Sequence, residues 1–108
     1  MKKLKAQMFN YAYWEKETNP FVLAKKYNSL LTNSKFKILE KCCYHFKPQG
    51  YTALYLLSES HLAIHTFPEE NKTYIELSSC VENPFNNFIK NLKQTNTEII
   101  TEYIAKKD

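Results

Sequence analysis

Residues 52–67 read TALYLLSESHLAIHTF, and the fold follows from how this stretch divides. Residues 52–57 and 61–67 are two strand-like runs, and the short polar connection Ser58-Glu59-Ser60 lies between them. Two such runs joined so tightly predict a hairpin. In an extended chain successive side chains point to opposite faces. His61, Ala63 and His65 therefore share one face, while Leu62 and Ile64 share the other and anchor the strand in a core.

Working outward, Lys47-Pro48-Gln49-Gly50 is a turn signal, and residues 35–46 before it read as another strand. Upstream of that, Asn19-Pro20 opens a helix, with Asn19 as N-cap and Pro20 at the first helical position. Phe21, Ala24, Tyr27, Leu30 and Leu31 recur at helical spacing, and the helix should end near Asn33. Residues 7–13 alternate as a first strand, with Phe9, Tyr11 and Tyr13 on one side. Downstream, Glu70-Asn71-Lys72 is a polar turn and residues 73–79 form a strand ending at Cys80. Asn83-Pro84 repeats the helix-opening device before the apolar face Phe85, Phe88, Ile89 and Leu92, and residues 97–104 supply a last strand. The predicted order is β-α-β-β-β-β-α-β. Its architecture is an α+β two-layer sandwich, a largely antiparallel sheet with two helices on one face.

With 108 residues the chain suits a single domain spanning 1–108, and a site larger than one small cleft needs a second copy, so a homo-oligomer is expected. No apolar run reaches the length of a bilayer span, and Met-Lys-Lys-Leu-Lys lacks the apolar stretch of a secretory signal. A soluble cytoplasmic protein without a membrane partner is expected. Cys42, Cys43 and Cys80 make an odd count that suits free thiols in a reducing compartment. The net charge of +4 comes largely from Lys2, Lys3, Lys5, Lys106 and Lys107, which form no continuous basic block, so no nucleic-acid partner is expected. The single glycine, Gly50, excludes glycine-rich phosphate loops and dinucleotide fingerprints.

Within residues 57–69 lie two histidines, two serines and two acids, with Cys80 one strand-length further on. Ser60 follows Glu59 in a tight connection. A serine hydroxyl can attack the carbonyl of its own preceding peptide bond if the turn strains that bond and donors stabilise the oxyanion. The two imidazoles on one face would supply bases. The plain alternative makes Ser60 a turn residue, His61 a surface polar group and His65 a hydrogen-bonded core histidine. A zinc site from His61, His65 and Cys80 is disfavoured, because the histidines lack helical spacing and no paired cysteines accompany them.

Taken together, Leu57-Ser58-Glu59-Ser60-His61, Ile64-His65-Thr66-Phe67-Pro68-Glu69 and Cys80 resemble the small prokaryotic form of S-adenosylmethionine decarboxylase, a pyruvoyl-dependent family made as a proenzyme. Weaker agreement extends through Phe46, Pro48, Gly50 and Thr52. The resemblance implies self-cleavage at Glu59-Ser60 into a β chain of residues 1–59 and an α chain of residues 60–108. Ser60 would become the pyruvoyl cofactor that forms a Schiff base with the substrate. It further implies that His65 assists processing with hydroxyl support from Thr52, and that Cys80 is the proton donor. Phe46 would stack on adenine and Glu69 would bind the ribose hydroxyls. The implied reaction gives the aminopropyl donor for polyamine and spermidine synthesis, and the implied assembly is a dimer of cleaved protomers.

The sequence departs from the family pattern in three places. Lys5, Ala6 and Gln7 stand where a Gly-x-His element is common, Glu76 stands in place of Asp, and Val81 in place of Gly. Two alternatives stay open beside the decarboxylation of S-adenosylmethionine. One is a pyruvoyl-dependent ornithine or arginine decarboxylase. The other is a non-enzymatic RNA-binding or regulatory paralogue, for which Phe9, Tyr11 and Tyr13 would form a base-stacking platform, although the glycine-aromatic RNP signature is missing.

Overall fold

The computed structural model describes residues 7–107; Lys2, Lys3, Lys5 and Ala6 lie outside the described residues, as do the side chains of Lys106 and Lys107. In chain order the elements are β1 (Met8–Glu15), α1 (Pro20–Asn33), β2 (Ile38–His45), β3 (Tyr51–Leu57), β4 (Ser60–Phe67), a 3₁₀ turn (Pro68–Glu70), β5 (Lys72–Ser79), α2 (Glu82–Lys93) and β6 (Ile99–Lys107). The strands form one 6-stranded sheet in the order β2-β3-β4-β5-β1-β6. Every neighbouring pair is antiparallel. Strands β2 to β5 run as a meander of hairpins. Helix α1 carries the chain from β1 to the far edge, and α2 carries it back to β6 beside β1.

One parity of the strand residues is buried. Phe9, Tyr11 and Tyr13 of β1, Tyr51, Ala53 and Tyr55 of β3, Leu62 and Ile64 of β4, and Ile75 and Leu77 of β5 form one core with Leu23, Tyr27, Leu30, Leu31, Phe85, Phe88 and Leu92 of the helices. This is the α+β sandwich that the periodicities predict. It also removes the stacking platform, because Phe9, Tyr11 and Tyr13 lie beneath the helices and cannot meet a base. At the end of β1, Glu15 is buried yet satisfied. Lys26 Nζ lies 2.5 Å from its carboxylate and the Tyr27 hydroxyl donates to it, while Tyr27 also shares a 2.6 Å hydrogen bond with Tyr13. Burial holds both phenols well above their ordinary pKa.

Three local expectations are corrected. The buried stripe of α1 is Leu23, Tyr27, Leu30 and Leu31, whereas Phe21 is 82% exposed. The strand expected from residue 35 begins at Ile38, because the helix terminates through residues 34–36. Phe36 N–H donates to Leu31 O, Lys35 N–H donates to Thr32 O, and Lys35 takes φ 76°, the left-handed position of a Schellman motif. Third, α2 starts at Glu82 with Val81 as its cap, so Asn83 does not cap it. Pro84 sits within the first turn, where a backbone N–H has no helical partner to lose. By contrast, Asn19 caps α1 as expected, accepting from Phe21 N–H at 2.9 Å and Val22 N–H at 3.3 Å. No described helix is long and apolar enough to cross a membrane.

The sheet face away from the helices is open. In register across it run Thr52, His65, Tyr74 and Trp14, then Leu54, Ala63, Glu76, Ala12 and Tyr103, then Leu56, His61, Ser78 and Asn10. Leu54 and Leu56 are about half exposed there, at 49% and 52%.

Candidate active site

Leu57 pairs directly with Ser60, leaving Ser58 and Glu59 as the whole hairpin loop. So short a connection needs positive φ, and Glu59 supplies it at φ 60°. For a residue with a Cβ that conformation costs about 1–2 kcal/mol. The turn is fixed from both sides. Ser58 N–H donates to Lys37 O at 3.1 Å, and Cys80 N–H donates to Glu59 O at 3.2 Å. The carbonyl before Ser60 thus belongs to a strained residue and already accepts a backbone donor.

Ser60 itself is buried on the helix side of β4, where its Oγ donates to Ser79 Oγ at 2.7 Å. A cleft of about 550 Å³ at this end of the sheet is lined by Met8, Leu56, Glu59, Ser60, His61 and Cys80, among others. Cys80 is exposed, and its thiol lies 3.4 Å from the Met8 sulfur.

The other end of the same strands carries a second cleft, of about 310 Å³, which gathers Phe46, Gly50, Thr52, His65, Phe67 and Glu69. Thr52 and His65 are register partners, and Thr52 Oγ1 lies 3.0 Å from His65 Nδ1. The His65 ring also stacks over Tyr74, with centroids 6.4 Å apart. Gly50 takes φ 112°, which lets the turn return so that Phe46 N–H donates to Gly50 O at 2.8 Å. Phe46 is 51% exposed with its ring edge-on to Tyr44, so it is not a core residue. Glu69 is exposed on the 3₁₀ turn that closes β4.

The expected residues therefore fall into two groups. Glu59, Ser60 and Cys80 lie at one end of the sheet, and Thr52, His65, Phe46 and Glu69 lie at the other. Ser60 and His65 are five residues apart on a regular strand, roughly 16 Å at the usual rise, and on opposite faces. One chain does not bring His65, the base the resemblance implies, together with Ser60, the expected nucleophile. Glu76 lies in the row between the clefts and accepts from the Tyr74 hydroxyl at 2.7 Å. Burial, then that hydrogen bond, pushes the Tyr74 phenol up to about 12. Among the described residues no group of three or more His, Cys, Asp and Glu side chains is placed to hold a metal ion.

Two contributors were not anticipated. The backbone N–H of Cys80 carries no mark in its residue type. Ser79 comes opposite Ser60 through the register that starts at Phe67 and Lys72, and its hydroxyl immediately before the cysteine is the one sign of it in the sequence.

Residues 14–104 match the family model for S-adenosylmethionine decarboxylase. Among curated relatives, an S-adenosylmethionine decarboxylase proenzyme of Moorella thermoacetica is 44% identical over 46 residues, covering 43% of this chain and 37% of that protein. Proenzyme 2 of Halalkalibacterium halodurans is 36% identical over 69 residues, covering 59% of this chain and 54% of its own length. Proenzyme 2 of Bacillus cereus is 57% identical over 35 residues, covering 32% and 28%. The match thus spans between about a quarter and a little over half of the curated relatives' length. The crystal structure of the adenosylmethionine decarboxylase from Aquifex aeolicus superposes with a TM-score of 0.66 at 15% identity, covering 93% of this chain and 88% of that one, a likeness of fold.

Proposed function

This chain belongs to the S-adenosylmethionine decarboxylase family, and from that premise we propose that it is a proenzyme that cuts itself between Glu59 and Ser60 and then decarboxylates S-adenosylmethionine. The observation that carries this reading is the Glu59 carbonyl, strained at φ 60° and hydrogen-bonded by Cys80 N–H, directly before a buried serine. Ser60 Oγ attacks the Glu59 carbonyl carbon, and Cys80 N–H stabilises the developing oxyanion. The C–N bond then breaks with the hydroxyl proton passing to nitrogen, which leaves an ester between Glu59 and Ser60 Oγ. Removal of the Ser60 Cα proton expels the Glu59 carboxylate by breaking Cβ–Oγ. Water converts the remaining dehydroalanine, by way of its imine tautomer, to pyruvoyl and ammonia. Residues 1–59 leave as the β chain, and residues 60–108 carry the new group.

A pyruvoyl group at position 60 supplies an electron sink for the charge left when carbon dioxide departs. The hairpin cleft fits such a group, because the Cys80 thiol opens onto the same cleft as Ser60. A thiol carries an S–H that it can donate, and with its thiol open to the cleft Cys80 is the chain's proton donor to the substrate carbon. In the second cleft, exposed Phe46 offers an aromatic face and Glu69 a carboxylate that accepts from a diol. An aromatic plane beside an acid suits a nucleoside better than a short basic amino acid, which supports S-adenosylmethionine as substrate and polyamine synthesis as the destination of the product.

The two clefts lie at opposite ends of one sheet, and the open face between them is apolar around Leu54 and Leu56. Both features support a dimer in which open faces meet and His65, Thr52, Phe46 and Glu69 of one copy come beside the Ser60 backbone and Cys80 at the sheet end of the other. Intact-mass analysis tests the maturation. Wild-type protein should give fragments 1–59 and pyruvoyl-blocked 60–108, and Ser60→Ala one uncut chain. An uncut wild type after prolonged incubation would overturn the assignment. Carbon dioxide release from S-adenosylmethionine, compared with ornithine and arginine, tests the substrate.

A further inference from the structure

Ser79 is wholly buried, and every hydrogen-bonding capacity of its hydroxyl is used. It donates to Val81 O at 3.0 Å, accepts from Val81 N–H at 3.0 Å, and meets Ser60 Oγ at 2.7 Å. A serine has one proton and two lone pairs. With the proton given to Val81 O and one lone pair taken by Val81 N–H, Ser79 can offer Ser60 only its remaining lone pair. The direction of the bond is thereby fixed, and Ser60 must donate. We propose that Ser79 is a positioning residue for self-cleavage, holding the Ser60 hydroxyl proton so that the oxygen's lone pairs are free to approach the Glu59 carbonyl. The proposal rests on the maturation described above.

The reason is rotational. A serine side chain has three staggered wells, and its hydroxyl hydrogen is free to turn within each. An attack on the preceding carbonyl needs one well and a lone pair aimed at the carbonyl carbon. The chain Ser60 to Ser79 to Val81 fixes both, and it does so from β5 and the cap of α2, outside the two-residue turn itself. Ser79 is not the base. In the attack the proton leaves Ser60 Oγ for the Glu59–Ser60 amide nitrogen, the C–O bond forms and the C–N bond breaks, and Ser79 ends with the proton it began with. Its effect falls on formation of the ester and not on the later elimination.

The test is the time course of cleavage of freshly folded precursor, with and without hydroxylamine, which cuts an accumulated ester. Ser79→Ala is expected to slow cleavage about tenfold or more, with no hydroxylamine-sensitive species building up, while Ser79→Thr, which keeps the hydroxyl, cuts at close to the wild-type rate. Melting temperature is measured in parallel, since loss of the Val81 bonds alone moves stability and leaves the rate of ester formation unchanged. If Ser79→Ala proves unstable, Ser79→Thr and Ser79→Val, which have the same shape, decide the matter: unequal rates support the role and equal rates overturn it. A folded Ser79→Ala that cuts at the wild-type rate, or that accumulates ester, overturns the proposal while leaving self-cleavage intact. A wild type that never cuts overturns both.

Discussion

The backbone N–H of Cys80 donates to the carbonyl oxygen of Glu59 at 3.2 Å. This one bond ties the end of β5 to the loop between β3 and β4, and so joins the residue that the family resemblance makes a proton donor to the peptide bond expected to break. It holds in place a conformation that the Glu59 side chain disfavours.

Replacing Glu59 with glycine removes that conflict. Left-handed backbone costs a residue with a Cβ about 1–2 kcal/mol, and glycine's extra freedom in the unfolded chain offsets roughly 0.5–1 kcal/mol of the gain. In a Ser60→Ala background, which keeps the chain whole, Glu59→Gly should raise stability by about 0.5–1 kcal/mol in urea melts. With Ser60 present the same change should slow cleavage several-fold, because the relaxed turn no longer strains the carbonyl. A glycine variant that is less stable and cuts faster would remove strain from the account.

Thr52 Oγ1 lies 3.0 Å from His65 Nδ1 and fixes which ring nitrogen faces outward. Thr52→Val keeps the shape and loses the bond, whereas Thr52→Ser keeps the bond. The valine variant should slow the elimination about tenfold and accumulate an ester that hydroxylamine cuts, and the serine variant should behave as wild type. The two are distinguished on a denaturing gel by fragment yield with and without hydroxylamine.

Much of this arrangement could be read from the chain, and the failures share a cause. Asn19-Pro20 was legible because both the cap and the proline act within a few residues. Asn83-Pro84 carries the same letters, yet Ser79 accepts Val81 N–H and the helix begins at Glu82. The spacing that admitted Phe21 to the α1 stripe admits Leu23 equally well, and only the direction of approach to the sheet chooses Leu23. The identities of Ser60, His65, Cys80, Phe46 and Glu69 were visible in the motif. Their division between two ends of a sheet was not, since it depends on β4 staying straight from Ser60 to Phe67 and on pairings with β3 and β5 that are non-local.

Tyr55 is buried, and its hydroxyl has no hydrogen-bond partner among the described residues. An unmet buried hydroxyl costs about 1–3 kcal/mol. Tyr55→Phe in the Ser60→Ala background should therefore raise stability by about 1 kcal/mol at neutral pH. Burial, and then the charge of the Cys43 thiolate, pushes the phenol up to about 12 from its ordinary value of 10.0. The folded protein thus keeps a proton that the unfolded chain releases near pH 10. Whatever stability this contributes is complete below that point and is lost as pH rises through about 12. Urea melts of the two proteins at pH 9 and pH 11 should show a smaller alkaline loss in the phenylalanine variant.

The strongest test of a shared site uses two defective chains. Ser60→Ala lacks the nucleophile but keeps Thr52, His65, Phe46 and Glu69, and His65→Ala lacks the base but keeps Ser60 and Cys80. Each homodimer has both sites broken. In a mixed dimer one site joins Ser60 of the His65→Ala chain to His65 of the Ser60→Ala chain and is whole, and the other lacks both groups. Co-expressed with distinguishable tags, only the His65→Ala chain should be cut, to at most the fraction present in mixed dimers, and decarboxylation should return in proportion. The pattern follows from the roughly 16 Å and the sheet that separate Ser60 from His65 within one chain. If the mixture cuts no more than either variant alone, the two clefts do not meet across copies. The strand from Ser60 to His65 would then have to rearrange within a single chain.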